Sequence, residues 1–404
     1  MFVSSIFHRF SLLAILALTA PMTLSEPLTP LSTAVDAAWQ RSPLARTLEA
    51  RRDESLAGRQ SAQSWIAGSP TVGLSQRSDR WNNQNGFRET EVSVSAPIWL
   101  PGQKSAREAL ANISSDELDA QIINTRLLIA GEVREQLWAV AAAREELAEA
   151  QDHQRHLDAL AADVMRRVKA GDLARSDGLL AQQEVLAAKN AITAAQNRLH
   201  ISMARYMTLT GQQNIPVPEP EPIAMAMQEP HPKMLFAQKS MQRSQTSLKT
   251  VRATRSDPPT VGLLMRRQQD GFATSSNQSV GIAVQIPFGT DARNRPLETA
   301  ALTRIETSKA EAAQAESMLL SDIELARQQL LASKQGLEAA TERVALTREH
   351  TELIAKAFRL GERGLNELLR SRAISHEADV AARQQRVAVG LAHARLNQAL
   401  GIIP

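Results

Sequence analysis

Apolar and polar residues follow two periodic patterns along this chain, and the two patterns occur in the same order twice. In two long stretches apolar residues return after seven, four or three positions, which is the spacing of one helix face. The more regular of these stretches has apolar residues seven positions apart, at Ile323, Leu330, Leu337 and Val344. In short stretches at 92–98 and 280–288 apolar and polar residues alternate one by one, which predicts strands with one apolar face.

The second occurrence of this pattern lies 190 residues after the first. Residue pairs that keep the spacing include Gly171 with Gly361, Asp177 with Glu367, and Gly211 with Gly401. We infer a duplicated unit of helix, strand, strand, long helix and helix, so the predicted fold is mainly α with a small β part. The seven-residue apolar repeat predicts that the long helices pack in a coiled-coil manner.

The duplication divides the chain into predicted parts. In order they are a signal peptide at 1–25, a first repeat at 26–211 with a helix at about 31–67 and strands at about 70–78 and 88–98, a Pro-rich linker at 212–230, and a second repeat at 231–404 with strands at about 259–267 and 279–288. The signal peptide is predicted from a basic start followed by the apolar run 10–20, which is too short to span a bilayer.

If the protein enters a membrane, the sequence predicts that its strands do so, because no stretch after residue 25 has the length and apolarity of a transmembrane helix. Four strands cannot close a barrel, and open strand edges are not tolerated in hydrocarbon, so several copies must combine. Two chains would supply eight strands and three would supply twelve. Aromatic residues that could mark the membrane boundaries lie near the predicted strand ends, at Trp81, Phe87, Trp99 and Phe272.

Composition and motifs argue against several classes of function. The net charge is only +3 and aromatic residues make up 3%, which gives no support to a nucleic-acid partner. Cysteine is absent and the eight histidines are scattered, so no catalytic or cofactor-binding site is predicted. His153 and His156 share a helix face, but no third metal ligand lies nearby in the sequence, so we interpret them as surface histidines. Near the linker, Met225, Met227, His231 and Met234 offer soft ligands that could suit copper(I), although Pro-rich linkers often carry such residues without a role.

The duplication, the linker and two turn motifs together resemble the TolC-type outer-membrane efflux proteins along essentially the whole mature chain. The turn motifs are KAGDL at 169–173 and RLGER at 359–363. The resemblance implies a homotrimer in the outer membrane, with one twelve-stranded barrel in outer-membrane lipid and a periplasmic helical tunnel below it. It also implies two further partners, a periplasmic adaptor and an inner-membrane pump. The stretch PGQKSAR at 101–107 is similar to the metal-cation efflux branch of the family.

The resemblance also assigns roles to residues near the two turns. It implies an acidic link at Asp177, aromatic and basic links at Phe358 and Arg363, and an acidic pore ring at Glu367. Arg370 occupies a second ring position where the family pattern has an acid, so strong cation selectivity does not follow. Adaptor docking is expected at Gly171, Asp172, Leu173, Gly361 and Glu362.

The predicted function is an outer-membrane channel that conducts small substrates, either metal cations or organic toxic compounds, out of a tripartite efflux system. Two alternatives remain open. One is the outer-membrane component of a type I protein secretion system, which uses the same scaffold. The other is a periplasmic coiled-coil scaffold or adaptor without a barrel, in which the alternating runs would be buried in a small β domain. The charged residues at the turns could also be ordinary solvated residues.

Overall fold

A computed structural model describes residues 30–82, 85–271 and 275–404, so the predicted signal peptide and Phe272 lie outside the described residues. The elements run helix, strand, strand, long helix and helix, twice over, with one extra helix at the start. They are α1 (Pro30–Arg41), α2 (Pro43–Ala62), β1 (Thr71–Ser78), β2 (Arg88–Pro97), α3 (Gln103–Ala170), α4 (Arg175–Thr210), α5 (Pro232–Ala253), β3 (Thr260–Gln269), β4 (Asn277–Gln285), α6 (Asp291–Arg359) and α7 (Leu365–Ala399).

The helix expected at 31–67 is wrong in two details. It is interrupted at Ser42, because the residue before a proline avoids the helical conformation and Pro43 has no N–H to donate. Ser42 adopts an extended conformation and its hydroxyl accepts a hydrogen bond from the N–H of Ala45, which starts α2. The helix then ends at Ala62 rather than Ala67.

The strand predictions are confirmed to within about three residues. The largest difference is at β4, which ends at Gln285, two residues before Pro287 interrupts the donor pattern. The linker between α4 and α5 contains neither helix nor strand, as its prolines predict.

The long helices lie side by side in the order α4, α3, α7, α6, because α3 packs against both α4 and α7 while α6 packs against α7. Towards the sheet, α2 and α5 replace α4 and α7 as the neighbours of α3, and α5 also packs against α6. The linker packs into two apolar clusters, with Ile215 among residues of α1, α3 and α4, and Met227 against residues of α6 and α7. The helical body is therefore a layer whose two outer edges are α4 or α2 on one side and α6 on the other.

The four strands form one antiparallel sheet in the order β1, β2, β3, β4. Cross-strand pairing aligns the apolar residues in rows, of which one is Val72, Val94, Leu263 and Ile282, and the next is Leu74, Val92, Met265 and Val280. These side chains are exposed, at 77% for Val72 and 73% for Ile282. The opposite face is polar, with Ser75, Glu91, Arg266 and Ser279 forming one of its rows. The runs that a β domain would bury are not buried by this chain.

Among the described residues, no helix combines the length and the apolar character required to cross a bilayer.

Candidate functional site: the helical turns and the seam between repeats

The two turns predicted to dock a partner have the same backbone structure. Gly171 and Gly361 lie in the left-handed region, with φ of 87° and 79°, where glycine is favoured because it has no Cβ. In the first turn the N–H of Asp172 donates to the carbonyl of Arg167 at 2.9 Å; in the second, the N–H of Glu362 donates to that of Ala357 at 2.9 Å. These bonds close both helices with a Schellman motif, at positions 190 residues apart.

The predicted docking residues are largely accessible. Gly171, Asp172, Gly361 and Glu362 are exposed at the tips of the turns, whereas Leu173 is half-buried and packs against the apolar cluster beneath them. The backbone of these four residues and the carboxylates of Asp172 and Glu362 are therefore accessible to a partner at this end of the molecule. Leu173 also contributes to packing.

Phe358 lies in that cluster rather than on an accessible surface. Its ring is 4% exposed and is packed among Leu160, Val164, Leu365 and Leu368, which come from α3 and α7. The guanidinium of Arg167 lies over the ring, 5.1 Å from its centroid. Phe358 therefore fastens the two helical turns to each other within one chain.

The charged gate candidates lie in or beside the first two turns of α4 and α7. Asp177 and Glu367 occupy equivalent first-turn positions, where a carboxylate is stabilised by the helix dipole. Arg363 Nη1 donates to Glu367 Oε1 at 2.8 Å, and no hydrogen bond or ion pair joins Arg363 to Asp177 in the part of the chain that the structure describes. Arg370 is exposed one turn beyond Glu367. Within one chain the basic candidate thus neutralises the acidic ring candidate instead of the acidic link.

A pair of stacked histidines joins α3 to α7. The sequence analysis considered His153 but not its partner His376. The rings of His153 and His376 are 3.7 Å apart at their centroids and inclined by 12°. Glu149 forms a salt bridge with Nδ1 of His376, while Arg383 Nη2 donates to Asp152 at 2.9 Å beside it. Burial lowers the pKa of His153 to about 4, helped by His376 and opposed by Glu149. His153 is therefore half-buried in the contact between α3 and α7, and its interpretation as a surface histidine is wrong.

The same seam holds a cavity of about 400 Å³ that these charged residues line. Its arginines are already occupied, since Arg348 pairs with Asp379 at 2.7 Å and Arg372 donates to the carbonyl of His156 at 3.2 Å. In the described ranges no group of three acidic, histidine or cysteine side chains is arranged to hold a metal ion. The cavity is therefore lined by a network of hydrogen bonds and ion pairs that joins the two repeats.

A second link between the repeats is formed by Arg134, which is 2% exposed on α3. Its Nη2 and Nε donate to the carboxylate of Glu221 at 2.7 and 2.9 Å, and its Nη1 donates to Gln398 at 2.7 Å and to the carbonyl of Ile402 at 3.1 Å. One guanidinium therefore connects the first repeat, the linker and the end of the second repeat. The position of Arg134 directly after Val133, in the apolar stripe of α3, was the one feature of the sequence that could have indicated a buried arginine.

The polar face of the sheet carries its own charge network. Arg266 Nη2 pairs with Glu91 at 2.7 Å, and Glu89 lies 3.8 Å from both Arg266 and Arg77. Acids and bases alternate here between neighbouring strands, so the network has no net charge within one chain.

No protein-family model matches the chain, and no curated protein matches it by sequence. Solved structures match nearly all of it. The outer membrane protein VceC of Vibrio cholerae is 14% identical with a TM-score of 0.73, over 92% of this chain and 96% of that one. The CmeC outer membrane channel of Campylobacter jejuni is 11% identical with a TM-score of 0.73, over 92% and 85%. The MtrE outer membrane channel of Neisseria gonorrhoeae, in its open state, is 15% identical with a TM-score of 0.71, over 92% and 88%.

These identities are low, so the comparison establishes the fold. The resemblance inferred from the sequence is confirmed at that level, because this chain has the fold of TolC-type outer-membrane channels.

Proposed function

We propose that this protein is the outer-membrane channel of a tripartite efflux system, working as a homotrimer with a periplasmic helical tunnel. The observation that carries the proposal is the sheet, which has an exposed apolar face, a polar charged face and two unpaired edges. A sheet with these faces is the expected wall of a membrane barrel, apolar towards lipid and polar towards the lumen. The fold shared with outer-membrane channels supports the same assignment.

The sheet edges explain why several chains are needed. β1 and β4 are the outer strands, and their free N–H and C=O groups cannot remain unpaired in hydrocarbon. Pairing β4 of one chain with β1 of the next satisfies both edges, and three chains give twelve strands.

The outer edges of the helical layer support the same arrangement. An exposed apolar stripe with a seven-residue spacing follows α6, and a shorter one follows α4. They consist of Met318, Leu325, Leu346 and Leu353 on α6 with Leu360 directly after it, and Leu179 and Leu186 on α4. Such stripes are typical of a helix that packs against another helix, and this chain supplies no partner for them in its described part. In a ring, α6 of one chain would pack against α4 of its neighbour.

In this assembly the turns at Gly171 and Gly361 lie at the periplasmic end and dock the adaptor of an inner-membrane pump. Asp177, Arg363, Glu367 and Arg370 lie beside the narrowest part of the tunnel, and Phe358 holds the turns together behind them. Because Arg363 pairs with Glu367 inside one chain, the proposed partner of Asp177 is a basic group across a chain boundary. The substrates are small molecules, metal cations or organic compounds; a neighbouring gene for a protein exporter would favour the type I secretion alternative instead.

Insertion of the sheet is tested by a matched pair of substitutions in β4. Ile282→Lys places a charge on the outward apolar face, where it should cost about 2–4 kcal/mol near the bilayer centre. Ala283→Lys places the same charge one residue further along, on the polar face, where it should be tolerated. The measurements are the yield of membrane-inserted, heat-modifiable trimer and its channel activity in planar bilayers. Equal yields from the two variants, or a wild-type protein that stays a water-soluble monomer, would refute the proposal.

The gate is tested by conductance. Asp177→Ala combined with Arg363→Ala should raise the single-channel conductance in planar bilayers, because it removes polar links at the constriction. Glu184→Ala, further along α4, is a control that removes a charge away from the turn. If the double variant conducts like the wild type, these residues do not form the gate.

A further inference from the structure

The outward face of the sheet carries two arginines immediately beyond its apolar rows. Arg267 follows Met265 by two residues in β3, so both side chains lie on the same face. Arg88 pairs with Gln269 in the next row, again on this face. Both arginines are exposed, and both lie towards the hairpin ends of the strands, which point away from the helices.

Among the described residues, no ion pair joins these two arginines to an acid, whereas arginines on the opposite face have acidic neighbours. Arg77 and Arg266 lie near Glu89 and Glu91 on the polar face. The outward rows contain no carboxylate among the described residues of the sheet, and Arg267 is bonded through Nε to Ser276 Oγ at 3.2 Å. The sheet therefore neutralises its inward charges and leaves its outward charges available.

Strand geometry gives their height relative to the apolar rows. Two residues of a strand advance about 7 Å, so Arg267 lies about 7 Å beyond Met265 along the strand, and Arg88 one further row beyond. Tilt of the strands in a barrel shortens these distances along the membrane normal. An arginine at this level lies at the boundary between hydrocarbon and headgroups, where its planar fork can bind phosphate oxygens in pairs.

We propose that Arg267 and Arg88 bind the phosphate groups of anionic lipids at the outer boundary of the bilayer. The inference rests on the proposed barrel and adds a lipid partner to it. In a trimer the surface would present six guanidinium groups around the barrel, each on a face without acids. Charge complementarity and continuity with the apolar rows select a lipid headgroup as the occupant.

The experiment uses the purified full-length trimer in detergent, with lipid A, phosphatidylcholine or inorganic phosphate added. Retained lipid is counted by native mass spectrometry, and the thermal midpoint of trimer dissociation is followed in parallel. Lipid A should bind and raise the midpoint for the wild type, whereas phosphatidylcholine and inorganic phosphate should not. Arg267→Gln should weaken lipid A binding about tenfold, and Arg88→Gln with Arg267→Gln should weaken it further.

Arg77→Gln is the matched control, because it removes one arginine in the adjacent row but from the polar face. It should bind lipid A like the wild type. Unchanged lipid A binding in the outward double variant, or an equal loss in Arg77→Gln, would overturn the inference. An effect produced in full by inorganic phosphate would also overturn it, in favour of a free anion site. Insertion of the wild type is measured first, so failure of the barrel itself is seen separately.

Discussion

The contact between Trp138 and Gly390 makes a sharp prediction about the seam between the two repeats. Trp138 on α3 is buried, and its ring lies where a side chain on residue 390 of α7 would begin. A Cβ built on Gly390 would be 1.9 Å from Cη2 of the ring and within 2.5 Å of two more ring atoms. These distances are far below van der Waals contact, and a buried indole has little room to move.

Gly390→Ala should therefore destabilise the protein although it replaces glycine inside a helix. Alanine gains about 0.5–1 kcal/mol of helix propensity over glycine. Overpacking a buried site typically costs about 1–3 kcal/mol, and three ring atoms in severe overlap argue for the upper part of that range. The expected net loss is about 1–2 kcal/mol in the free energy of unfolding, measured by urea denaturation followed by helical circular dichroism.

Gly58→Ala is the matched control, because Gly58 also lies inside a helix but a Cβ there would meet nothing within 4 Å. It should stabilise by about 0.5–1 kcal/mol, so the two identical substitutions are expected to have opposite signs. Trp138→Leu should relieve most of the overlap in Gly390→Ala, giving a double variant more stable than the sum of the single changes predicts. A stabilising Gly390→Ala, or strictly additive effects, would refute the packing argument.

Three further predictions concern the seam and the turns. Arg134→Met should lower the free energy of unfolding by about 3–5 kcal/mol, because it leaves the largely buried Glu221 without its cation. Adding Glu221→Gln should recover part of this loss. A loss under about 1 kcal/mol in urea denaturation would contradict a stabilising role of the Arg134–Glu221 pair. Burial lowers the pKa of His153 to about 4, so as the pH falls the unfolded chain takes up a proton near pH 6.5, before the folded chain does. The stability contributed by neutral His153 is therefore complete above pH 6.5 and is lost as the pH falls towards 4. His153→Gln should reduce the dependence of the thermal unfolding midpoint on pH across that interval, whereas His156→Gln should leave it unchanged. Identical pH profiles for the two variants would contradict a role of the stack of His153 on His376 in this pH dependence. Gly171→Ala should cost about 1–2 kcal/mol through its positive φ alone, because the space around it is empty; Gly171→Asn should cost less, and equal urea midpoints for all three proteins would contradict that account.

The sequence predicted the elements well and their partners poorly, and the reason is physical. Alternation and seven-residue spacing are properties of one segment, so β2 and α6 could be placed from local residues alone. The same spacing does not say which helix lies opposite, so the stack of His153 on His376 and the insertion of Trp138 at Gly390 had no local signal. Alternation likewise predicts an apolar strand face without saying whether anything covers it.

Near the turns, spacing alone placed the glycines correctly because only glycine readily adopts the left-handed conformation at Gly171 and Gly361. It could not place the side chains around them. Phe358 follows the same register but points into the cluster between the repeats, and Arg363 pairs with Glu367 one helical turn away. The break before Pro43 could have been predicted from the residues themselves, because a proline disfavours helix at the residue before it, but the helix prediction missed it.

The joining of two helical hairpins by a single linker has a consequence for assembly. If three chains form the ring, six hairpins meet along six lines, yet only three of those lines lie between separate molecules. The other three are covalently tethered from the start and are reinforced by Arg134, so their members meet at a high effective concentration whatever the dilution of the protein. If dilution, detergent or an adaptor loosens such a cylinder, the three contacts between separate chains should therefore open first. The three contacts within chains should open only after them.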